Sequence, residues 1–259
     1  MATMLPASLA QLLIKAQETA VPLGVEYNQN FASEAEAYAV QEAVRDEKIR
    51  QGCRVVGKKI GLTSRGMQEM FKTNEPDYGN LFSDQLYLQG APIPRERFIA
   101  PMVEGEIAFV LREDLRGPGV SPADVIRATH GVMACLEFVD SRWDASLFGL
   151  LNSISDNASC GGFLLGSKLV PLDGLDLKHI AMFVEKNGNL VSSGAGVEVM
   201  GDPCNAVAWL ANSLAQHGGG LKAGDVILSG AITRAVPVVK GDWLRVSFSV
   251  LGDVGVYFN

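Results

Sequence analysis

Two glutamates one residue apart open an apolar segment, Glu104-Gly105-Glu106-Ile107-Ala108-Phe109-Val110. In an extended strand alternate side chains share a face, so both carboxylates point the same way, onto a face that Ala108 and Val110 continue. Carboxylates held that close repel each other unless a proton or a cation lies between them. A third glutamate, Glu137, lies inside the apolar run Val132-Met133-Ala134-Cys135-Leu136-Glu137-Phe138-Val139. A carboxylate buried there is costly unless it is paired or bound to metal. Three carboxylates with no soft donor beside them suit Mg²⁺ or Mn²⁺ and leave positions for water and substrate. The same residues also fit a plainer arrangement, with Glu104 and Glu106 on a solvated edge and Glu137 paired with Arg142 or a lysine.

Further groups have chemical potential. Lys59 follows the short β-branched stretch Val55-Val56, and if it projects inward it could bind a carboxylate or move a proton. As one of two adjacent lysines, it fits a solvated strand end equally well. Glu75-Pro76-Asp77-Tyr78-Gly79 reads as a turn, with Asp77 an acid–base group only if the fold brings it to the carboxylates. Asp156-Asn157-Ala158-Ser159-Cys160-Gly161-Gly162 is a polar, glycine-ended loop that could offer a hydroxyl and backbone N–H groups to an oxyanion. Cys160 as a nucleophile would need a histidine, and His130, His179 and His217 stand in no recognisable arrangement with it. Gly194, Gly196 and Gly201 miss the dinucleotide-binding spacing, and no P-loop, HExxH or GxSxG motif occurs.

The elements that must position these residues fall into two regions. Residues 1–52 read as a helical arm. Ser8 with Gln11 and Ser33 with Glu36 form capping boxes, Leu9, Leu12, Leu13 and Ala16 make one apolar face, Ala37, Val40 and Val44 make another, and Gly52 closes the second helix. Residues 53–259 read as one β-rich body. Val55–Ile60, Ile107–Leu111, Val132–Val139 and Ile180–Val184 are strand-like, and Leu244, Val246, Phe248 and Val250 alternate with polar residues. Lys186-Asn187-Gly188-Asn189 predicts a hairpin turn. Helices begin at Ser121-Pro122 and at Asp202-Pro203, the latter ending by Gly218. Strands and helices do not alternate regularly, which excludes a doubly wound parallel sheet and predicts an α+β fold.

A length of 259 residues with 47% hydrophobic and 20% charged residues is enough for a substantial core and argues against disorder. The net charge of −7 disfavours nucleic acid or an anionic membrane as partner. No apolar run approaches the roughly 18 residues needed to span a bilayer. The first 20 residues lack a basic leader, and the four cysteines form no CxxC pair. A reduced, cytoplasmic protein is expected.

Taken together, several segments resemble the bacterial 2-hydroxypenta-2,4-dienoate hydratase and 4-oxalocrotonate decarboxylase family of meta-cleavage pathways, within the fumarylacetoacetase superfamily. They are Gly57–Ser64, Glu75–Gly79, Glu104–Val110, Gly117–Val120, Glu137–Arg142, Asp156–Gly161, Val207–Asn212 and Lys222–Gly230. Each is weak alone, but they keep family order from about residue 35 to the end. The resemblance implies a mixed β roll or sandwich after an N-terminal helical region, a homo-oligomer, and Mg²⁺ or Mn²⁺ held by Glu104, Glu106 and Glu137. It implies catalytic roles for Lys59 and Asp77 and substrate binding by Ser159. The reaction so implied is hydration of a 2-hydroxydienoate, or its 2-oxo tautomer, to a 4-hydroxy-2-oxo acid.

Two features separate the hydratases from the decarboxylases. The decarboxylases tend to lack the aspartate that here follows Pro76, and they read Asn-Ala-Ser-Ser where this chain has Asn157-Ala158-Ser159-Cys160. Thr233-Arg234 instead resembles hydratases of the C7 diacid 2-oxohept-4-ene-1,7-dioate, where Arg234 would hold a distal carboxylate. Asp202 departs from the histidine many relatives carry and reads as a helix cap. From another class, a non-catalytic partner within a pathway complex would share the fold without the chemistry.

Overall fold

A computed structural model describes residues 4–259. Helices α1 (Pro6–Thr19) and α2 (Glu34–Arg50) pack through Leu9, Leu13, Val40 and Val44, and Trp143 completes that small core. The expected Ser8–Gln11 box is not used. Helix α1 starts three residues earlier, at Pro6 with Leu5 as N-cap and no side-chain cap among the described residues, because a proline in the first turn needs no N–H partner. Ser33 does cap α2 by accepting from the Glu36 N–H, while the Glu36 carboxylate accepts from Ala32 rather than from Ser33.

The body consists of two sheets. The larger uses β1 (Val55–Gly61), β2 (Asp77–Phe82), β3 (Leu86–Tyr87), β4 (Met102–Leu111), β5 (Thr129–Val139), β6 (Cys160–Leu165), β9 (Val226–Ala231) and β10 (Val236–Pro237). Its order is β2-β1-β9-β4-β5-β6-β3, with β10 beside β4. It is mixed: β1 runs parallel to β9 and β3 to β6, and the other pairs are antiparallel. The smaller, antiparallel sheet contains β7 (Ala181–Lys186), β8 (Asn189–Ala195), β11 (Trp243–Phe248) and β12 (Gly252–Tyr257), in the order β12-β11-β7-β8. The β7–β8 turn places Asn187 and Gly188 at positive φ, as the Asn-Gly pair predicts. Strand β11 ends at Phe248, so Val250 lies beyond it.

Four more helices join these strands: α3 (Arg65–Phe71), α4 (Pro122–Ala128), α5 (Leu150–Ser155) and α6 (Pro203–Ala215). Ser121 and Asp124 form a reciprocal capping box on α4. Asp202 accepts from the Cys204 N–H, so the departure from histidine supplies a cap. Helices α3 and α5 are too short to show an apolar period in the sequence.

Residue alternation divides the larger sheet into two faces. Ile107, Phe109, Leu136 and Phe138 point into the main core, shared with Met182, Val184, Leu244 and Val246 of the smaller sheet. Gly105 lies on this face too, where a Cβ would come within 2.5 Å of the Met182 sulfur. The sheets thus meet directly behind the two glutamates. On the other face, Ala108, Cys135, Leu228, Phe163 and Leu81 form a separate apolar floor, from which the glutamates rise. No described helix is long and apolar enough to cross a membrane.

Candidate metal centre and active site

Glu104 and Glu137 are direct cross-strand partners in the β4–β5 ladder, and Glu106 faces Cys135 one step along. Carboxylate oxygens of all three glutamates lie within 4.8 Å of one another. Glu106 and Glu137 are fully buried, so the solvated-edge arrangement does not hold for Glu106. Glu137 does not pair with Arg142, which bonds Asp156 instead. Burial, reinforced by the facing Glu137, pushes Glu104 up to about 7 and Glu106 well above the usual carboxylate range.

The donor set fits a hard divalent cation. Among the described residues, Glu106 Oε1 and both Glu137 carboxylate oxygens are buried without a hydrogen-bond donor. Glu106 Oε2 accepts from the Gly230 N–H at 2.7 Å. Gly230 has φ +114°, and a Cβ there would collide with Thr63, so only glycine brings this amide to the carboxylate without strain. That contact is absent from the sequence reading, although the Ser229-Gly230 pair is visible in it. A cation among these oxygens would satisfy the unpaired acceptors and hold the carboxyls ionised.

Lys59 reaches the cluster from β1, three strands from β5 along the sheet. Three strand spacings in a flat sheet would be roughly 14 Å. Yet Lys59 Nζ lies 3.0 Å from Glu137 Oε1, so the sheet must curl around the site. The approach is an ion-pair contact rather than an aligned hydrogen bond, since Glu137 Oε1 otherwise lacks a donor. Nζ also donates to the Ala158 carbonyl at 3.0 Å. Burial opposes the charge on Lys59, but Glu137, Asp77 and Glu104 outweigh it and hold the ammonium above the ordinary lysine range.

Asp77 is not in a turn. It opens β2 opposite Gly61, in the ladder that places Lys59 opposite Gly79. Gly61 makes room for it, because a Cβ there would sit 2.1 Å from Asp77 Oδ1. That oxygen is buried without a hydrogen-bond partner among the described residues, and burial raises the carboxyl's pKa against the pull of Lys59. Ser159 is buried with its hydroxyl 3.3 Å from that of Ser153. Cys160 is buried and its thiol is pushed up to about 12, which leaves no reactive thiolate.

A cavity of about 1200 Å³ opens over this floor. Lys59, Asp77, Glu104 and Ser159 line it, and Arg234 lines it as an exposed residue. The predicted site residues, scattered over more than 170 positions of sequence, therefore meet at one cavity and its floor. Met67, Phe71 and Phe148 supply apolar wall.

Residues 38–257 match the fumarylacetoacetate (FAA) hydrolase C-terminal model. The chain belongs to this family. It is 45% identical over 184 residues to a 2-hydroxypent-2,4-dienoate hydratase from Pseudomonas putida, covering 71% of this chain and 83% of that one. It is 41% identical over 229 residues to a 2-oxo-hept-4-ene-1,7-dioate hydratase from Escherichia coli, covering 86% of each. Among solved structures, 4-oxalocrotonate decarboxylase from Pseudomonas putida G7, complexed with magnesium and adipate, superposes with a TM-score of 0.95 at 35% identity over the full length of both chains. The α+β architecture expected from the sequence is thus the architecture of this family member.

Proposed function

We propose that the protein is a divalent-metal-dependent hydratase that converts 2-hydroxypenta-2,4-dienoate, or its 2-oxo tautomer, to 4-hydroxy-2-oxopentanoate. The observation that carries this reading is the Glu104–Glu106–Glu137 cluster, in which the buried Glu106 and Glu137 keep oxygens without donors among the described residues, set beside Lys59 and Asp77 at one cavity. The relatives named as hydratases and the magnesium complex of the decarboxylase support it. Glu104, Glu106 and Glu137 would hold Mg²⁺ or Mn²⁺. When bound, the ion supplies Lewis acidity to the C1 carboxylate and C2 oxygen of the substrate.

The chain's own residues then divide the work. Lys59, held as an ammonium, binds the substrate carboxylate and serves as a proton relay. Asp77, with a raised pKa and a free oxygen, exchanges a proton with the carbon chain. Loss of the 2-hydroxyl proton and gain of a proton at C5 give the 2-oxo-3-enoate. Water then adds at C4, and C3 takes up the balancing proton. Ser159 donates a hydrogen bond to the substrate head. The apolar floor and wall limit water around the reacting carbons.

Ultraviolet absorbance loss of freshly made 2-hydroxypenta-2,4-dienoate tests this reading, with Mg²⁺ and then with EDTA, the product identified by mass. Metal-dependent gain of one water supports it. Bound metal without turnover refutes it and directs the assay to the diacids. The reading as a hydratase of 2-oxohept-4-ene-1,7-dioate rests on Arg234, which lines the cavity and makes no ion pair among the described residues. Carbon dioxide release from 4-oxalocrotonate would instead mark the decarboxylase reading. Assembly as a homo-oligomer, alone or with a pathway enzyme, belongs to the same proposal and is read by light scattering.

A further inference from the structure

Asn157, Ala158 and Ser159 occupy the left-handed region in succession, with φ of 55°, 49° and 55°. Such a run of non-glycine residues persists only where its surroundings hold it. The turn faces the proposed site directly, since the Ala158 carbonyl accepts from Lys59 Nζ and Ser159 lines the cavity. Its clasp lies behind. Asn157 Oδ1 accepts from the Asn80 N–H at 2.7 Å, and Asn157 Nδ2 donates to the Asn80 carbonyl at 2.9 Å. The side-chain amide thereby pairs with β2 as a neighbouring strand would, at the open edge of the larger sheet.

The rest of the network braces the clasp. Asn80 Nδ2 also approaches Asn157 Oδ1 at 3.2 Å, and Asn80 Oδ1 accepts from Lys58 Nζ at 2.6 Å. Gly79 allows the close approach, because a Cβ there would stand 2.5 Å from the Asn157 carbonyl oxygen. The two adjacent lysines of β1 thus serve opposite faces, Lys59 the cavity and Lys58 the clasp behind it. An ammonium has three N–H groups. Lys59 directs one at the Ala158 carbonyl and meets Glu137 as an ion pair without an aligned hydrogen bond, so N–H capacity remains for substrate.

We infer that Asn157 is a positioning residue, whose grip on the main chain of Asn80 holds the left-handed turn and so aims Lys59 and Ser159 at the substrate head. The inference rests on the hydratase reading for its substrate. Misplacement by about 1 Å at a reacting centre costs on the order of 100-fold in rate. Asn157→Ala should therefore lower kcat about 100-fold, while Asn157→Asp, which keeps the acceptor for the Asn80 N–H, should lose only about tenfold.

Oxalate, whose adjacent oxygens mimic the C1 and C2 oxygens of the substrate, supplies a second readout by calorimetry on the Mn²⁺-loaded protein. Asn157→Ala should weaken oxalate about tenfold, by loss of a charge-assisted hydrogen bond. Its Mn²⁺ affinity should stay at the wild-type level. Wild-type kcat and oxalate affinity in Asn157→Ala would overturn the inference. So would a parallel fall in Mn²⁺ affinity, oxalate affinity and melting temperature, which marks a folding defect. If the unmodified protein hydrates no dienoate, the hydratase reading fails alone and oxalate affinity decides the positioning role.

Discussion

Two sets of buried charges lie on β-strands and loops of the same body, and they are satisfied very differently. Arg142 is surrounded by acceptors: its guanidinium bonds the Asp156 side chain and carbonyl, and the carbonyls of Asp140 and Cys160. The Arg142 N–H completes the pairing with Asp156 at 2.8 Å. The Glu104–Glu106–Glu137 cluster has the opposite character: among the described residues three of its buried carboxylate oxygens lack a hydrogen-bond donor, and Lys59 alone forms an ion pair with it. A closed network fixes loop geometry, whereas an open one asks for a ligand. The Arg142 network anchors the loop that leads into the Asn157–Ser159 turn, so the closed set frames the open one.

This contrast predicts that substitutions in the two sets fail in different ways. Glu106→Gln should cost on the order of 10³-fold or more in metal-dependent turnover, since a ligand worth several kcal/mol is lost. Mn²⁺ titration should show the lost binding. The metal-free variant should melt no lower than wild type, because the amide oxygen of glutamine can keep the Gly230 contact while a buried acid beside Glu104 and Glu137 has been removed. A lower melting temperature would mean that Glu106 is structural like Asp156.

Lys59→Ala and Asp77→Asn should each lower turnover about 10²- to 10⁴-fold while Mn²⁺ still binds. Steady-state kinetics beside calorimetry checks this, and retained activity would remove that residue from the mechanism. Arg142→Met should act on stability instead, destabilising by about 3–5 kcal/mol because Asp156 is left buried without its guanidinium partner. Urea unfolding reads that loss, and a variant as stable as wild type would dissolve the contrast.

The smallest effect is in pH dependence. In the metal-free protein Glu104 has a folded-state pKa of about 7, above its ordinary 4.5. Between these values the unfolded chain releases the proton that the folded chain keeps, so stability falls as pH rises from about 4.5 to 7. Saturating Mg²⁺ should flatten that slope, because a cation replaces the proton. Melting temperatures from pH 5 to pH 8, with and without metal, test the sign.

Much of the candidate site was legible because a strand's period is short and strict. Placing Glu104 and Glu106 on one face required only alternation, and Glu137 stood out as a carboxylate in an apolar run. The Asn-Gly hairpin and the Asp202 cap followed from local conformational preference. Asp77 was misplaced for the same local reason: Glu75-Pro76 carries a turn signal, but pairing with β1 draws the following residues into β2. Ser8 lost its capping role to a proline two residues earlier.

What the sequence determined by itself was the chemistry available and the face on which each strand would present it, because both depend on residue type and short-range backbone geometry. Family membership was also legible, from short segments kept in order. Only the tertiary structure decided which groups meet. The curl of the larger sheet carries Lys59 across three strands to Glu137, and the pairing of β1 with β2 sets Asp77 beside Gly61. Arg142 takes Asp156, leaving Glu137 to the cluster, and Asn157 clasps Asn80 from 77 residues away. Such pairings are set by packing between distant segments, where the energy of a contact depends on what else is buried beside it.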